Sequence, residues 1–158
     1  MATMVSRLLR LAERLIEDGK RSSALRRRAI STAYYAVFHE IAKLCAETLL
    51  SGTEQKSADY VRIYRALDHG PLKSSWQNQN SPLRQLDSLK KIGDLVVPLQ
   101  SERIRADYLP PMPHPFKYRE AKEIVEQARR AVDALNNLTP DERRMLAVGL
   151  LFNKARPS

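Results

Sequence analysis

A chain of 158 residues with 43% hydrophobic and 28% charged residues has the length for one domain with a real core. Its net charge of +9, with Arg outnumbering Lys 18 to 9, favours polyanions such as nucleic acid or an acidic partner. The single cysteine, Cys45, excludes an intrachain disulfide, and no apolar run approaches the roughly 20 residues of a membrane span, so a cytoplasmic protein without membrane contact is expected.

Apolar residues recur at helical spacing and no period-2 pattern is sustained, so every element is predicted as helix. The first runs from Thr3 to Glu17, with Val5, Leu8, Ala12 and Leu15 as its buried stripe and Gly19 as its stop. Its Arg-rich, amphipathic character is that of a mitochondrial presequence, but Glu13, Glu17 and Asp18 do not belong in one. The second helix runs from Ser23, an N-cap, to Leu50, with Gly52 as the stop. Ile30, Ala33, Val37, Ile41, Leu44 and Thr48 form its core face at about 100° per residue, and Cys45 lies near it. Opposite them Arg28, Thr32, Tyr35 and His39 make a row of cation, hydroxyl, phenol and imidazole. That row is either a solvated face or a surface for self-association or a ligand.

The third helix is predicted over Ala58 to His69, with Tyr60, Ile63, Tyr64 and Leu67 inward and Gly70-Pro71 ending it. LKSSWQNQN, residues 72–80, reads as a polar loop whose Trp76 is a lid over the core or an exposed anchor. Ser81 and Pro82, as N-cap and first helical residue, open a fourth helix continued by Leu86, Leu89, Ile92, Val96 and Leu99. Pro98 lacks a backbone donor and predicts a kink or break between Asp94 and Pro98. The helix ends in SERIRADY, residues 101–108, because Leu109 precedes a proline.

Arg103 and Asp107 are spaced to pair, and Arg105 and Tyr108 share a neighbouring face. A cation suits the negative end of the helix, whereas Asp107 there needs an arginine or backbone donors. The stretch is either a working site or a helix end at which Asp107 and Tyr108 staple the stiff proline loop, 109–115, to the domain. A fifth helix follows over Tyr118 to Asn136, with Ala121, Ile124, Ala128, Ala131, Val132 and Leu135 inward. The last opens at Thr139, Pro140 and Glu142 as a capping box and carries Leu146, Leu150 and Leu151, before a frayed tail over 154–158. The expected fold is one all-α domain over 1–158: an antiparallel four-helix up-down bundle core with a short additional C-terminal helix.

No glycine-rich phosphate loop and no nucleophile motif are present. HEIAK starts like a zinc-binding helix, but Lys43 stands where the second histidine belongs, and His39, His69 and His114 lack ligand spacing. No metal and no cofactor are expected. The candidates that remain are the polar row, His69 and RIRADY.

The segments LRRRAISTAYYAVFHEIAK (25–43), YRALDHG (64–70), LQSERIRADY (99–108) and RMLAVGLLF (144–152) resemble the HEPN superfamily of small helical-bundle proteins. The resemblance covers nearly the whole chain. It is narrowest to bacterial HEPN-like proteins that pair an RRA-S-AYYA-FH helix with an R-x-x-ADY motif. It implies a four-helix core, a homodimer and a link to RNA. Active members are metal-independent ribonucleases, many of them toxins with a cognate antitoxin or parts of defence systems. Their histidine acts as base on the ribose 2′-hydroxyl and their arginine stabilises the phosphorane. Here the resemblance implies His69, Arg103 and Arg105 as catalytic groups. It also implies Arg103, Arg105, Asp107 and Tyr108 as contacts to RNA or a partner, to which the polar row adds Arg28, Tyr35 and His39 as candidates by its spacing. The family's histidine, a few residues after its arginine, is replaced by Tyr108, Leu109, Pro110, Pro111 or Met112. His114 lies too far along, and Arg62 with His69 has the spacing on an earlier helix. The expectation is RNA binding, with cleavage if the fold brings in His69 or His39; a non-catalytic adaptor or a nucleotide-binding domain are the alternatives.

Overall fold

The computed structural model describes residues 2–50, 57–110 and 116–152. Among the described residues there are seven helices and no strand. They are α1 (Met4–Asp18), α2 (Ser23–Leu49), α3 (Ala58–Ala66), α4 (His69–Gln77), α5 (Asp87–Tyr108), α6 (Tyr118–Asn136) and α7 (Pro140–Leu151), with tight 3₁₀ turns at Gly19–Arg21 and Pro82–Arg84. None of these helices is long and apolar enough to cross a membrane. The expected Gly52 stop, residues 111–115 of the proline loop, and the tail at 154–158 lie outside the described residues.

The all-α expectation holds, and α2 is the central helix. α1, α3, α5, α6 and α7 all pack on it. Its predicted core face is buried at Ile30, Ala33, Val37, Ile41 and Leu44. The opposite row is not simply solvated: Thr32 is buried, Tyr35 and His39 are half-buried, and only Arg28 of the four is exposed. Neighbours packed on several sides of the helix cover this face in part. The cap is Ser22 rather than Ser23, its hydroxyl accepting from Leu25 N at 3.3 Å. α1 is rotated from expectation. It buries Val5, Leu9, Ala12 and Ile16, while Leu8 and Leu15 are half-buried at the edge. It sits between α2 and α6, and that position rather than its hydrophobicity sets the buried arc.

The segment after α3 corrects the prediction most. The helix stops at Ala66, and Gly70-Pro71 lies inside the first turn of a new helix, where proline's missing donor costs nothing. Asp68 caps it, accepting from His69 N at 2.8 Å. Residues read as a polar loop are thus largely helical, and Trp76 is a core residue, 3% exposed. Its indole N–H donates to Leu89 O at 3.0 Å. Gly93 of α5 lies flat against that indole, where any side chain would overlap the ring. Ser81 caps the 3₁₀ turn, accepting from Leu83 N, and α5 itself begins at Asp87 with Leu86 exposed as its N-cap. Pro98 lies inside α5, which continues unbroken to Tyr108. α6 and the Thr139–Glu142 capping box match their predictions, and Glu142 also accepts from the Ser88 hydroxyl, tying α7 to the start of α5.

Candidate functional site

Two residues apart on a helix is a turn of about 200°, so Arg103 and Arg105 face different neighbours. Arg103 points inward and is 7% exposed. Its guanidinium lies 5.1 Å from the Tyr34 ring centroid and 5.8 Å from that of Tyr35, with Nη1 3.5 Å from Asp107 Oδ2. Arg105 turns toward α6, pairing with Glu102 at 2.7 Å and Glu120 at 3.9 Å above the Phe116 ring. Tyr108 is 73% exposed. RIRADY is therefore one inward group, Arg103, paired with Asp107 at the surface, and two separate outward groups.

The cation that the end of α5 calls for comes from α2. Arg27 Nη1 donates to Leu109 O at 2.6 Å and Ala106 O at 3.2 Å, and Nη2 to Pro110 O at 3.1 Å. Arg26, buried, donates from Nε to Phe116 O at 2.8 Å and from Nη1 to Gly19 O at 2.7 Å. Two of three consecutive arginines thus hold backbone carbonyls on either side of the proline segment, and Arg28 faces solvent. Among the described residues Arg27 holds the start of that loop; contacts of Asp107 or Tyr108 to residues 111–115 lie outside them.

Three helices converge on His69. Its Nδ1 is 2.6 Å from the Tyr34 hydroxyl, and its ring stacks on Phe38 with centroids 4.3 Å apart at 25°. Tyr35 meets it edge-on, and Gln100 Nε2 donates to its backbone oxygen at 2.7 Å. α2 thus supplies Tyr34, Tyr35 and Phe38, α4 supplies His69, and α5 supplies Gln100 and Arg103. Burial holds the His69 imidazole below its ordinary pKa; the Arg103 charge adds to this and Asp68 opposes it. Burial raises the Tyr34 phenol, against the pull of Arg103. Both are neutral near pH 7. Among the described residues Arg103 Nε and Gln100 Oε1 are buried without a hydrogen-bond partner, each at a cost of about 1–3 kcal/mol. Two unsatisfied polar atoms in one place mark a locally broken rule, as expected of functional sites.

His39 belongs elsewhere. Its Nδ1 is 2.5 Å from the Tyr64 hydroxyl, beside a cavity of about 670 Å³ between the start of α1, α2 and α3. Burial lowers its pKa, and burial with Tyr60 and Glu40 pushes Tyr64 up to about 12. Arg28 and Tyr35 line an adjoining cavity with Thr32 and His39. Arg62 and His69 sit on different helices. The Cys45 thiol is buried and pushed up to about 12, which removes it as a nucleophile. The structure thus brings together Tyr35, His69, Arg103 and Asp107; Tyr35 also borders the cavity of Arg28 and His39, while Arg105 and Tyr108 lie apart from both groups. Tyr34, Arg26 and Arg27 escaped the sequence reading. A Tyr-Tyr pair on a buried helix was the available signal, since one phenol must then face the core and find a partner. No protein-family model, curated protein or solved structure matches this chain.

Proposed function

We propose that this is a HEPN-like RNA-binding protein, with α1, α2, α5 and α6 as an antiparallel four-helix core, α7 as the short C-terminal addition, and His69 as the group that meets the RNA backbone. One observation carries the reading: the histidine missing after Arg103 on α5 arrives from α4, held by Tyr34 against the same ring that Arg103 faces. The net charge of +9 supplies the attraction for a polyanion.

The chemistry follows from which nitrogen of His69 carries the proton. With Nδ1–H donating to the Tyr34 oxygen, Nε2 is free to take the proton of a ribose 2′-hydroxyl. The 2′-oxygen then bonds to the adjacent phosphorus, and the 5′-oxygen leaves with the proton that Nε2 has taken up. A 2′,3′-cyclic phosphate and a 5′-hydroxyl result, and Arg103 is the buried cation behind the reacting charge. With the Tyr34 hydroxyl donating instead, His69 presents an Nε2–H and holds a phosphate without cutting. The protein acts in the cytoplasm as a homodimer, in a toxin or defence setting where an antitoxin or defence protein is its partner.

Chelator-treated protein is incubated with labelled RNA oligonucleotides at several salt concentrations. Salt-sensitive retention, with or without cleavage, that His69→Ala abolishes is the expected result. RNA that is neither cut nor retained sinks the reading. A second reading, a non-catalytic adaptor, is favoured by the internal use of Arg26, Arg27 and Arg103. It predicts a protein partner recovered equally well by the Arg103→Ala, Arg105→Ala double variant.

A further inference from the structure

α1 carries two apolar stripes. Val5, Leu9, Ala12 and Ile16 are spent on the core. Met4, Leu8, Leu11 and Leu15 form a second stripe turned by about 100° from the first. Met4 is 51% exposed and Leu11 45%. This stripe is one wall of a cavity of about 540 Å³, and Arg28, Thr32, Tyr35 and His39 of α2 are on the other wall. Met4 and His39 also line the 670 Å³ cavity toward α3, so the two adjoin. Together they make a furrow along α1, whose 15 residues span about 22 Å at about 1.5 Å each. Its length suits an elongated occupant better than a small molecule.

The furrow's edges are cationic. Arg7 and Arg14 stand exposed beside the stripe on α1, Arg28 stands exposed across it, and Lys43 lies at the α3 end. The acids nearby are Asp18 and Glu47. Among the described residues Arg7, Arg14 and Arg28 form no ion pair.

We propose that this furrow docks an amphipathic helix of a partner protein, apolar along one face and acidic along its flanks. An aliphatic floor calls for apolar side chains at helical spacing, and cationic edges call for carboxylates beside them. A second copy fits badly, because a two-fold contact through this face would set one copy's cationic edges, Arg7, Arg14 and Arg28, against the same cationic edges of the other. RNA fits less well than a helix, since it can use only the Arg28, Tyr35 and His39 wall, and the facing Met4, Leu8, Leu11 and Leu15 offer a phosphate nothing and a base no stacking plane. The inference does not depend on the RNA reading, which concerns the His69 centre.

The test uses two labelled synthetic peptides of about four helical turns, with leucines at i, i+3, i+4 and i+7 and either glutamates or lysines on both flanks. Fluorescence anisotropy is measured with the full chain. The glutamate peptide should bind at least about tenfold more tightly than the lysine peptide, with the gap shrinking in high salt. Leu11→Asp should weaken it about tenfold at an unchanged melting temperature, since Leu11 is outside the core. The Arg7→Glu, Arg14→Glu double variant should reverse the preference. Equal affinity for the two peptides, or undiminished binding by Leu11→Asp, overturns the proposal. So does a dimer in sedimentation equilibrium that Leu11→Asp dissolves, which assigns the face to a second copy. RNA retention lost in Leu11→Asp overturns it in favour of RNA.

Discussion

Gly93→Ala sets two helix rules against each other. In a helix interior, alanine is better than glycine by about 1 kcal/mol. At this position the added methyl would fall on Cδ1, Cγ and Nε1 of Trp76. The indole cannot easily yield, because it is buried and its N–H is held by Leu89 O at 3.0 Å. Overpacking costs about 1–3 kcal/mol, and a buried indole donor torn from its acceptor a further 1–3 kcal/mol or so. Subtracting the propensity gain leaves a net destabilisation of about 3 kcal/mol. Trp76 is the only tryptophan, so urea unfolding followed by its fluorescence reads the effect at the site. Trp76→Phe shrinks the ring, so in the double variant, followed by circular dichroism, the Gly93→Ala cost should fall well below its cost alone. Because α4 carries both Trp76 and His69, the displaced indole should also loosen the His69 centre. A Gly93→Ala protein as stable as its parent, or more so, refutes this reasoning, since propensity alone would then govern the position.

Arg27→Ala removes the donor to three carbonyls at the end of α5 and should cost about 1–3 kcal/mol in urea unfolding, with Arg27→Lys recovering only part because a point charge cannot fork; an unchanged midpoint would show that water replaces the guanidinium. Burial holds His39 and His69 below their ordinary pKa, so the unfolded chain takes up more protons just below about pH 6.5. Stability should therefore be complete above that value and fall as pH drops through the folded pKa values. Urea midpoints measured from pH 7.5 to about 5 check this, and a rise on acidification in that window contradicts it. Arg103→Met removes a charge that depresses His69, so the His69 imidazole should titrate closer to its ordinary value by NMR; no movement would separate the two groups. Thr139→Ala breaks the capping box of α7 and should cost about 1 kcal/mol by the same unfolding assay.

What the sequence alone determined was what local chemistry decides. Helical periodicity marks the buried faces of α2 and α6, and the Thr139–Glu142 box marks the start of α7, because caps and periodic faces are made within one or two turns. His69, Arg103, Asp107 and Tyr35 were legible as candidates from residue type and spacing. Their grouping was not. Tyr34, next to Tyr35, was missed because the choice of which phenol faces inward is made by α4 and α5, distant in sequence. The same holds for Arg26, Arg27 and Arg28: one run of like residues, with two turned to carbonyls about 80 or more residues away and one to solvent. Gly70-Pro71 reads as a stop by local rules, yet it opens α4, since Asp68 caps the turn and Trp76 gains a place in the core. Only tertiary structure could decide these points, because a buried polar or aromatic side chain takes its direction from the partner that satisfies it, and those partners come from other helices.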